Sequence, residues 1–368
     1  MRKLGLFFVK HYLRLLAVLV IWRHQPTFVV VTGSAGKTTL KFLIYQVLKQ
    51  KYRHQVSVSP GSLSTKTGIP IALLGFKPDW PNLGPPLWTW PFWLIGATLV
   101  TGYWLIVKSY QQIWVLEFAA DLPGDFKFLL SFIKPTVSVV TNVGDAHLEF
   151  FRKREQIAQE KGEIVAALPK DGLAVLNAND PLVRKMGDRT SSKIVWIKTE
   201  GFRFNEGAAR AVGRFFGVRH QLIDRAIQSF VPPAGRFNLI PGKNGSQLID
   251  SSYNANPVSM KLALEELKRL AARSPSTSSG RRVAVLGDMF ELGSAARQAH
   301  RRVGEIARQS ADLVVTVGPL AKLMGGMHFK DKQAAIDFLL QQVRKGDTIL
   351  VKASHGMEFK EIVDALRE

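Results

Sequence analysis

Phe28-Val29-Val30-Val31-Thr32-Gly33-Ser34-Ala35-Gly36-Lys37-Thr38-Thr39 is the stretch on which the reading of this chain turns. Four apolar residues in succession, three of them β-branched, suit a strand buried on both faces, Gly33 to Gly36 suit a turn, and Lys37 to Gln50 suit a helix. Strand, glycine loop and helix in that order make a phosphate-binding βα unit. The backbone of Gly33, Ser34, Ala35, Gly36 and Thr39 would turn its N–H groups inward beside the positive end of the helix. Lys37 would bring a mobile cation to terminal phosphates, and Thr38 a hydroxyl to Mg²⁺. Val31 stands where the first glycine of the full G-x-x-x-x-G-K-[ST] loop would be, so this is a shortened form. A plain glycine turn is the competing explanation, and Gly-Lys-Thr so soon after an apolar strand disfavours it.

Working outward, similar apolar runs recur at Ile113 to Phe118, Val137 to Thr141, Leu173 to Asn177 and Lys193 to Ile197, with helical stretches between several of them. A second alternation begins near Gly235, with strands expected at Gln247 to Ile249, Arg282 to Leu286, Leu313 to Val317 and Thr348 to Val351. Helices fit Pro257 to Ala272, Ala295 to Gln309, Lys332 to Val343 and Glu358 to Leu366. Strands alternating with helices predict an α/β protein: a parallel-sheet phosphate-loop domain over 26–231, then a smaller Rossmann-like α/β domain over 232–368. Ser274 to Gly280 reads as a Ser-rich surface loop, because the alternation continues across it.

The 368 residues carry 50 Lys plus Arg against 29 Asp plus Glu, a net charge of +21, with 46% hydrophobic residues. That composition excludes a disordered tail and supports about two cored domains. With 0 Cys there are no disulfides, thiolate nucleophiles or cysteine-ligated metal sites. The charge requires anionic company. No nucleic-acid-binding spacing accompanies it, so phosphorylated small molecules and an acidic membrane face are the partners expected, and nucleic acid is not.

Residues 1–25 contain Arg2, Lys3, Lys10, Arg14 and Arg23 with no acid, interleaved with apolar residues. The pattern fits a basic amphipathic helix in a membrane interface, or a helix docked on protein. From Pro81 to Val107 no residue is charged, and six of the eight Trp lie between Trp80 and Trp114. A transmembrane span is excluded by connectivity, since the strands before and after this 80–112 insertion belong to one sheet. A re-entrant or interfacial segment is expected, with Trp at headgroup depth; a hydrophobic cover for a partner or for the first helix is the alternative.

Taken together these motifs resemble the Mur ligases, the ATP-dependent amide ligases of peptidoglycan assembly, and specifically their MurF-type branch. The resemblance runs from about Pro26 to the C-terminus. It is carried by the shortened loop and by Ser59-Pro60-Gly61-Ser62-Leu63, Val115-Leu116-Glu117, Thr141 to Glu149, Glu160-Lys161-Gly162-Glu163-Ile164, Gly235-Arg236-Phe237, Asp250 to Pro257, Leu286 to Gly293 and Leu350-Val351-Lys352. It implies ATP and Mg²⁺ as cofactors, with Glu117 as a Mg²⁺ ligand, His147 as ligand of a second Mg²⁺, and Lys161, carbamylated, helping to hold that ion. It further implies that Asn142 reaches adenine, that Arg236 with the loop of Asp250, Tyr253 and Asn254 contacts ATP, and that Lys352 and Ser354 face the substrate. His300 is left with a structural reading.

The implied reaction converts an acceptor carboxylate to an acyl phosphate with release of ADP, after which an amine, D-alanyl-D-alanine on a muramoyl-tripeptide, displaces phosphate. Against the family pattern, about 25 residues precede the loop strand, where a UDP-gripping domain is expected. Ser64-Thr65 replace an Asn pair, Lys352-Ala353-Ser354-His355 replaces Lys-Gly-Ser-Arg, and Phe204 to Ala208 echoes a longer motif only faintly. The expectation is therefore a ligase peripheral on the inner face of the cell membrane, taking a membrane-proximal muropeptide, with the N-terminal helix or a partner protein in place of the UDP-binding domain. The alternatives are an ATP-binding Mur-like scaffold without ligase activity, and a ligase for another acid and amine pair.

Overall fold

The computed structural model describes residues 2–61, 63–76, 89–108, 110–120, 122–144, 150–151, 153–271 and 280–368. The chain divides into two compact units, the first formed by Met1–Gly33, Leu40–Asn142 and Glu155–Phe230, the second by Ser34–Thr39, Val143–Arg154 and Val231–Glu368.

The first unit opens with α1 (Arg2–His24), followed by β1 (Thr27–Thr32), α2 (Lys37–Tyr52), β2 (Val56–Val58), α3 (Gly68–Leu73), α4 (Trp90–Ile106), β3 (Ile113–Glu117), α5 (Asp125–Leu130) and β4 (Pro135–Val140). Then come α6 (Arg154–Ala166), β5 (Leu173–Asn177), α7 (Pro181–Arg184), β6 (Lys193–Ile197), α8 (Gly201–Phe215) and α9 (His220–Gln228). The strands form one sheet in the order β2-β3-β1-β4-β5-β6, and every pairing in it is parallel. β1 is buried from Phe28 onward because helices cover the sheet, which is why its sequence is a continuous apolar run rather than an alternation.

One face of this sheet packs on α2, α8 and α9 through Leu43, Ile44, Val47, Phe204, Ala208, Val212 and Ile223. Each of these side chains larger than alanine, fully removed from water, contributes on the order of 1.5–3 kcal/mol. Phe204, Ala208 and Val212 recur at four-residue spacing, so the segment that echoes a family motif only faintly is the core-facing stripe of α8.

The second unit continues with β7 (Asn238–Gly242), β8 (Ser246–Asp250), α10 (Pro257–Ala271), β9 (Arg282–Gly287), α11 (Ala296–Ser310), β10 (Leu313–Val317), β11 (Met327–Phe329), α12 (Lys332–Gln342), β12 (Thr348–Lys352) and α13 (Lys360–Leu366). Its sheet has the order β11-β10-β9-β12-β8-β7, with β7 antiparallel on the edge. α10 and α11 cover one face and α12 and α13 the other. The strands absent from the sequence reading, β2, β7 and β11, are the short or edge ones, where little apolar signal is needed.

The uncharged stretch resolves into α4, which packs beside α1; residues 77–88, including Trp80, lie outside the described residues. Tyr12 Oη and Thr98 Oγ1 are 2.7 Å apart, Arg23 Nε donates to Leu105 O at 3.3 Å, and His24 Nε2 lies 2.6 Å from Trp104 O, so the two helices run in the same direction. Among the described residues no helix is long and apolar enough to cross a membrane.

Candidate active site

In the first sheet β1 lies between β3 and β4, so the chain leaves β1 toward one side and later returns to the other. This is the switch point at which open parallel sheets bind ligands beyond the carboxyl ends of their strands. Val31 pairs with Glu117, and Thr141 N donates to Thr32 O at 3.0 Å. The end of β3 and the residue after β4 therefore flank the point from which the glycine loop departs. Gly33 itself has φ of 147°, and a Cβ there would overlap Thr141 Oγ1 and stand 3.1 Å from Asn142 N, so only glycine lets the strand pass so close. Thr141 is in turn held from β5, where Asn177 Nδ2 donates to Thr141 O at 2.7 Å.

Glu117 is 5% exposed at the end of β3, and the fully buried Lys41 of α2 places Nζ 3.4 Å from Glu117 Oε2. The same Nζ donates to Gly61 O at 3.0 Å and Ser59 Oγ at 3.4 Å, tying α2 to the segment that follows β2. Lys161, 2% exposed on α6, donates to Gly33 O at 3.2 Å. A carbamate on that amine would retain one N–H, so the contact is compatible with both forms of the side chain. Its neighbour Glu160 accepts from Gly124 N at 2.9 Å and Phe126 N at 2.7 Å, satisfying amides at the start of α5.

Within the loop, Ser34 Oγ accepts from Gly144 N at 2.7 Å. Ala35, Thr38 and Thr39 are buried, Lys37 is half-buried and Gly36 is exposed; Lys37, Thr38 and Thr39 form the first turn of α2. Asn142 is half-buried, the second residue beyond the end of β4. His147 lies outside the described residues, as do Asp145, Ala146, Leu148, Glu149 and Ser62. Among the described residues no three His, Cys, Asp or Glu side chains form a metal-binding group. The Thr38 hydroxyl and the Glu117 carboxylate are each the kind of oxygen donor that a hard divalent cation such as Mg²⁺ takes beside phosphate and water.

In the second unit, Asp250 ends β8 and folds its own loop: Oδ2 accepts from Gly235 N at 3.0 Å, and Oδ1 accepts from Ser252 N at 3.1 Å and Ser252 Oγ at 2.6 Å. The Arg236 guanidinium lies over the Tyr253 ring at 3.9 Å, and that ring is 5.0 Å from His355. Asn254 Oδ1 accepts from Ala255 N, in keeping with the turn that opens α10 at Pro257. Lys352, 4% exposed at the end of β12, donates to Asn254 O at 2.8 Å, Ser251 Oγ at 3.1 Å and Ser251 O at 3.4 Å. Burial, reinforced by Arg236 and opposed by Asp250, lowers the Lys352 ammonium to about 7. Ser354 Oγ accepts from Phe290 N at 2.8 Å and lies 3.4 Å from Ala255 O. Lys352 thus spends its described hydrogen bonds on the 251–254 loop, whereas Ser354 links Phe290 to Ala255. His300 is fully buried, with Nε2 accepting from Met289 N and Nδ1 at 2.7 Å from Ala296 O; burial lowers its basicity, which is the structural histidine expected.

Sequence reasoning passed over Lys41 and Glu160. The signal for Lys41 was there: a lysine between Leu40 and Phe42, near the start of a helix whose later residues enter the core. A buried cation so placed needs an anion, and Glu117 is the acid at the neighbouring strand end.

Residues 105–240 match the Mur ligase middle domain and residues 235–355 the glutamate ligase domain of the Mur ligases. The UDP-N-acetylmuramoyl-tripeptide–D-alanyl-D-alanine ligase of Bacillus subtilis is 27% identical over 92% of this chain and 75% of its own length. The enzyme of the same name from Mycobacterium bovis is 29% identical over 92% of this chain and 72% of its own. Among solved structures, the MurF ligase of Thermotoga maritima in complex with ADP superposes with a TM-score of 0.78 at 27% identity, covering 97% of this chain and 83% of that one.

Proposed function

The chain belongs to the Mur ligase family, and from that premise we propose that it is an ATP-dependent, ADP-forming ligase of peptidoglycan precursor synthesis, of the MurF kind, joining D-alanyl-D-alanine to the terminal carboxylate of a UDP-N-acetylmuramoyl-tripeptide. The observation that carries this reading is the grouping at one sheet edge of a glycine loop opening a helix, a buried carboxylate on the adjacent strand end and a buried lysine on the carbonyl of Gly33. That edge suits phosphoryl transfer, in which positioning and charge neutralisation do most of the work and no protein nucleophile is required.

In this reading Gly33 to Thr39 wrap the triphosphate, Lys37 meets its outer phosphates, and Asn142 contacts adenine. The first domain runs over 26–231 and the second over 232–368. Arg236, Asp250, Tyr253 and Asn254 are assigned to the nucleotide, and Lys352 and Ser354 to the substrate. Thr38 and Glu117 would hold Mg²⁺, with His147 and a carbamylated Lys161 at a second ion. Such ions, when bound, neutralise phosphate and carboxylate charge as these approach each other. The acceptor carboxylate attacks the terminal phosphorus and ADP leaves; the amine then attacks the acyl carbon, phosphate leaves, and the nitrogen gives its proton to solvent.

We place the enzyme peripherally on the inner face of the cell membrane. Support comes from the +21 net charge and from the absence of any acid in residues 1–25 and 81–107.

The test is phosphate release by the purified chain with Mg²⁺, ATP and a matrix of acids and amines. Release that requires both UDP-muramoyl-tripeptide and D-alanyl-D-alanine, and falls at least about a hundredfold in Lys37→Ala, is the expected result. Nucleotide binding without turnover for every pair would favour a scaffold, and turnover with a different pair would reassign the substrates.

A further inference from the structure

α4 contains no charged residue, yet only part of its surface packs on protein: Ala97 and Thr101 are buried, while Phe92, Leu99 and Ile106 are 70, 70 and 82% exposed. α1 behaves alike. Leu13, Leu16, Ala17 and Val20 are buried, and Phe8, Leu15 and Trp22 on the opposite side are 62, 55 and 70% exposed. The spacings 8, 15, 22 and 92, 99, 106 each bring the side chain back to one face of its helix. The helices run side by side in the same direction, and Tyr12 meets Thr98 across the seam. A helix apolar all round needs an apolar medium on both sides; here the protein core supplies only one.

The border of this face is basic. Lys10 and Arg14 lie over the ring of Phe128, Arg23 and Lys108 are exposed near the other end, and no acid occurs in residues 2–24 or 89–108. We propose that α1 and α4 together form a lipid-seating surface that lies in the plane of an anionic bilayer, with the exposed apolar rows at acyl depth and the basic border among phosphate headgroups. The helices are about 35 and 25 Å long at 1.5 Å per residue, lengths suited to lying along an interface. A second copy of the chain is disfavoured as the occupant, because a two-fold pairing of this face would set two cationic borders against each other. The inference rests on the enzyme's placement at the membrane and specifies the surface that makes it.

Flotation of the full chain with phosphatidylcholine vesicles, with and without phosphatidylglycerol, tests it. The unaltered chain should float with the anionic vesicles, with at least tenfold lower partition for Leu15→Glu/Leu99→Glu and a several-fold loss for Lys10→Gln/Arg14→Gln. ADP binding should be unchanged in all of them, which shows that they fold. If Leu15→Glu/Leu99→Glu floats as well as the unaltered chain, this surface is refuted and the membrane placement survives. If nothing floats, both fail. Equal binding to neutral vesicles would refute the headgroup role of the basic border. A dimer in solution that Leu15→Glu/Leu99→Glu converts to monomer would assign the face to a second copy instead.

Discussion

Lys41 Nζ stands 3.4 Å from Glu117 Oε2, with the lysine fully buried and the carboxylate nearly so, and this pair joins the phosphate-loop helix to the strand end beside it. Removing either partner takes away the opposite charge that the other faces out of water. Lys41→Met and Glu117→Gln should each lower unfolding stability by about 3–5 kcal/mol in urea titrations. The double variant should cost less than the sum by more than about 1 kcal/mol. Strict additivity would mean that the two side chains do not act on each other.

Gly33→Ala should be destabilised and bind ADP at least tenfold more weakly by calorimetry, because a Cβ there meets Thr141 and the φ of 147° is one that L residues avoid. Wild-type affinity in that variant would show that the loop can move away from the residues following β4.

Lys352 should make stability depend on pH. Its ammonium is lowered in the folded protein to about 7, whereas in the unfolded chain it keeps the ordinary value of 10.5. Between those values the unfolded state binds more protons than the folded one, so stability rises with pH; below about 7 the full cost of burying the cation is felt. Urea unfolding near pH 7 and near pH 9.5 should show a gain in the wild type that Lys352→Met lacks. Parallel pH profiles for the two proteins would remove the argument.

Chelation with EDTA should abolish phosphate release without changing the circular dichroism spectrum, and added Mg²⁺ should restore it. Glu117→Gln should raise the Mg²⁺ concentration for half-maximal release at least tenfold, because it removes a formal charge from the oxygen donors available at that edge. An unchanged Mg²⁺ requirement would place Glu117 outside the metal site.

The phosphate loop was legible because its chemistry is local: Gly33, Gly36, Lys37 and Thr38 are contiguous, and the strand before them is apolar for a reason that sequence displays directly. The long central strands were legible for the same reason. β7 and β11 were not, since an edge strand of five residues or a strand of three carries little patterning. Lys41 was hidden among its apolar neighbours because its partner lies 76 positions further on in the chain, and no spacing rule connects the two. Lys352 read as a substrate contact from its place at a strand end, and its bonds to the carbonyls and hydroxyl of the 251–254 loop become visible only once β8 and β12 are seen to pair.

Taken alone, the order of residues determined the class of fold, the phosphate loop and the basic, acid-free character of the N-terminal segment, because periodicity, turn chemistry and net charge are properties of neighbours along the chain. Tertiary structure decided which acid stands beside the loop, which lysine neutralises it, and that α1 and the uncharged α4 lie parallel with one side in the core and the other exposed. Those outcomes depend on strand order and on which helix faces the sheet covers, and both emerge only when residues far apart in the chain compete to leave water.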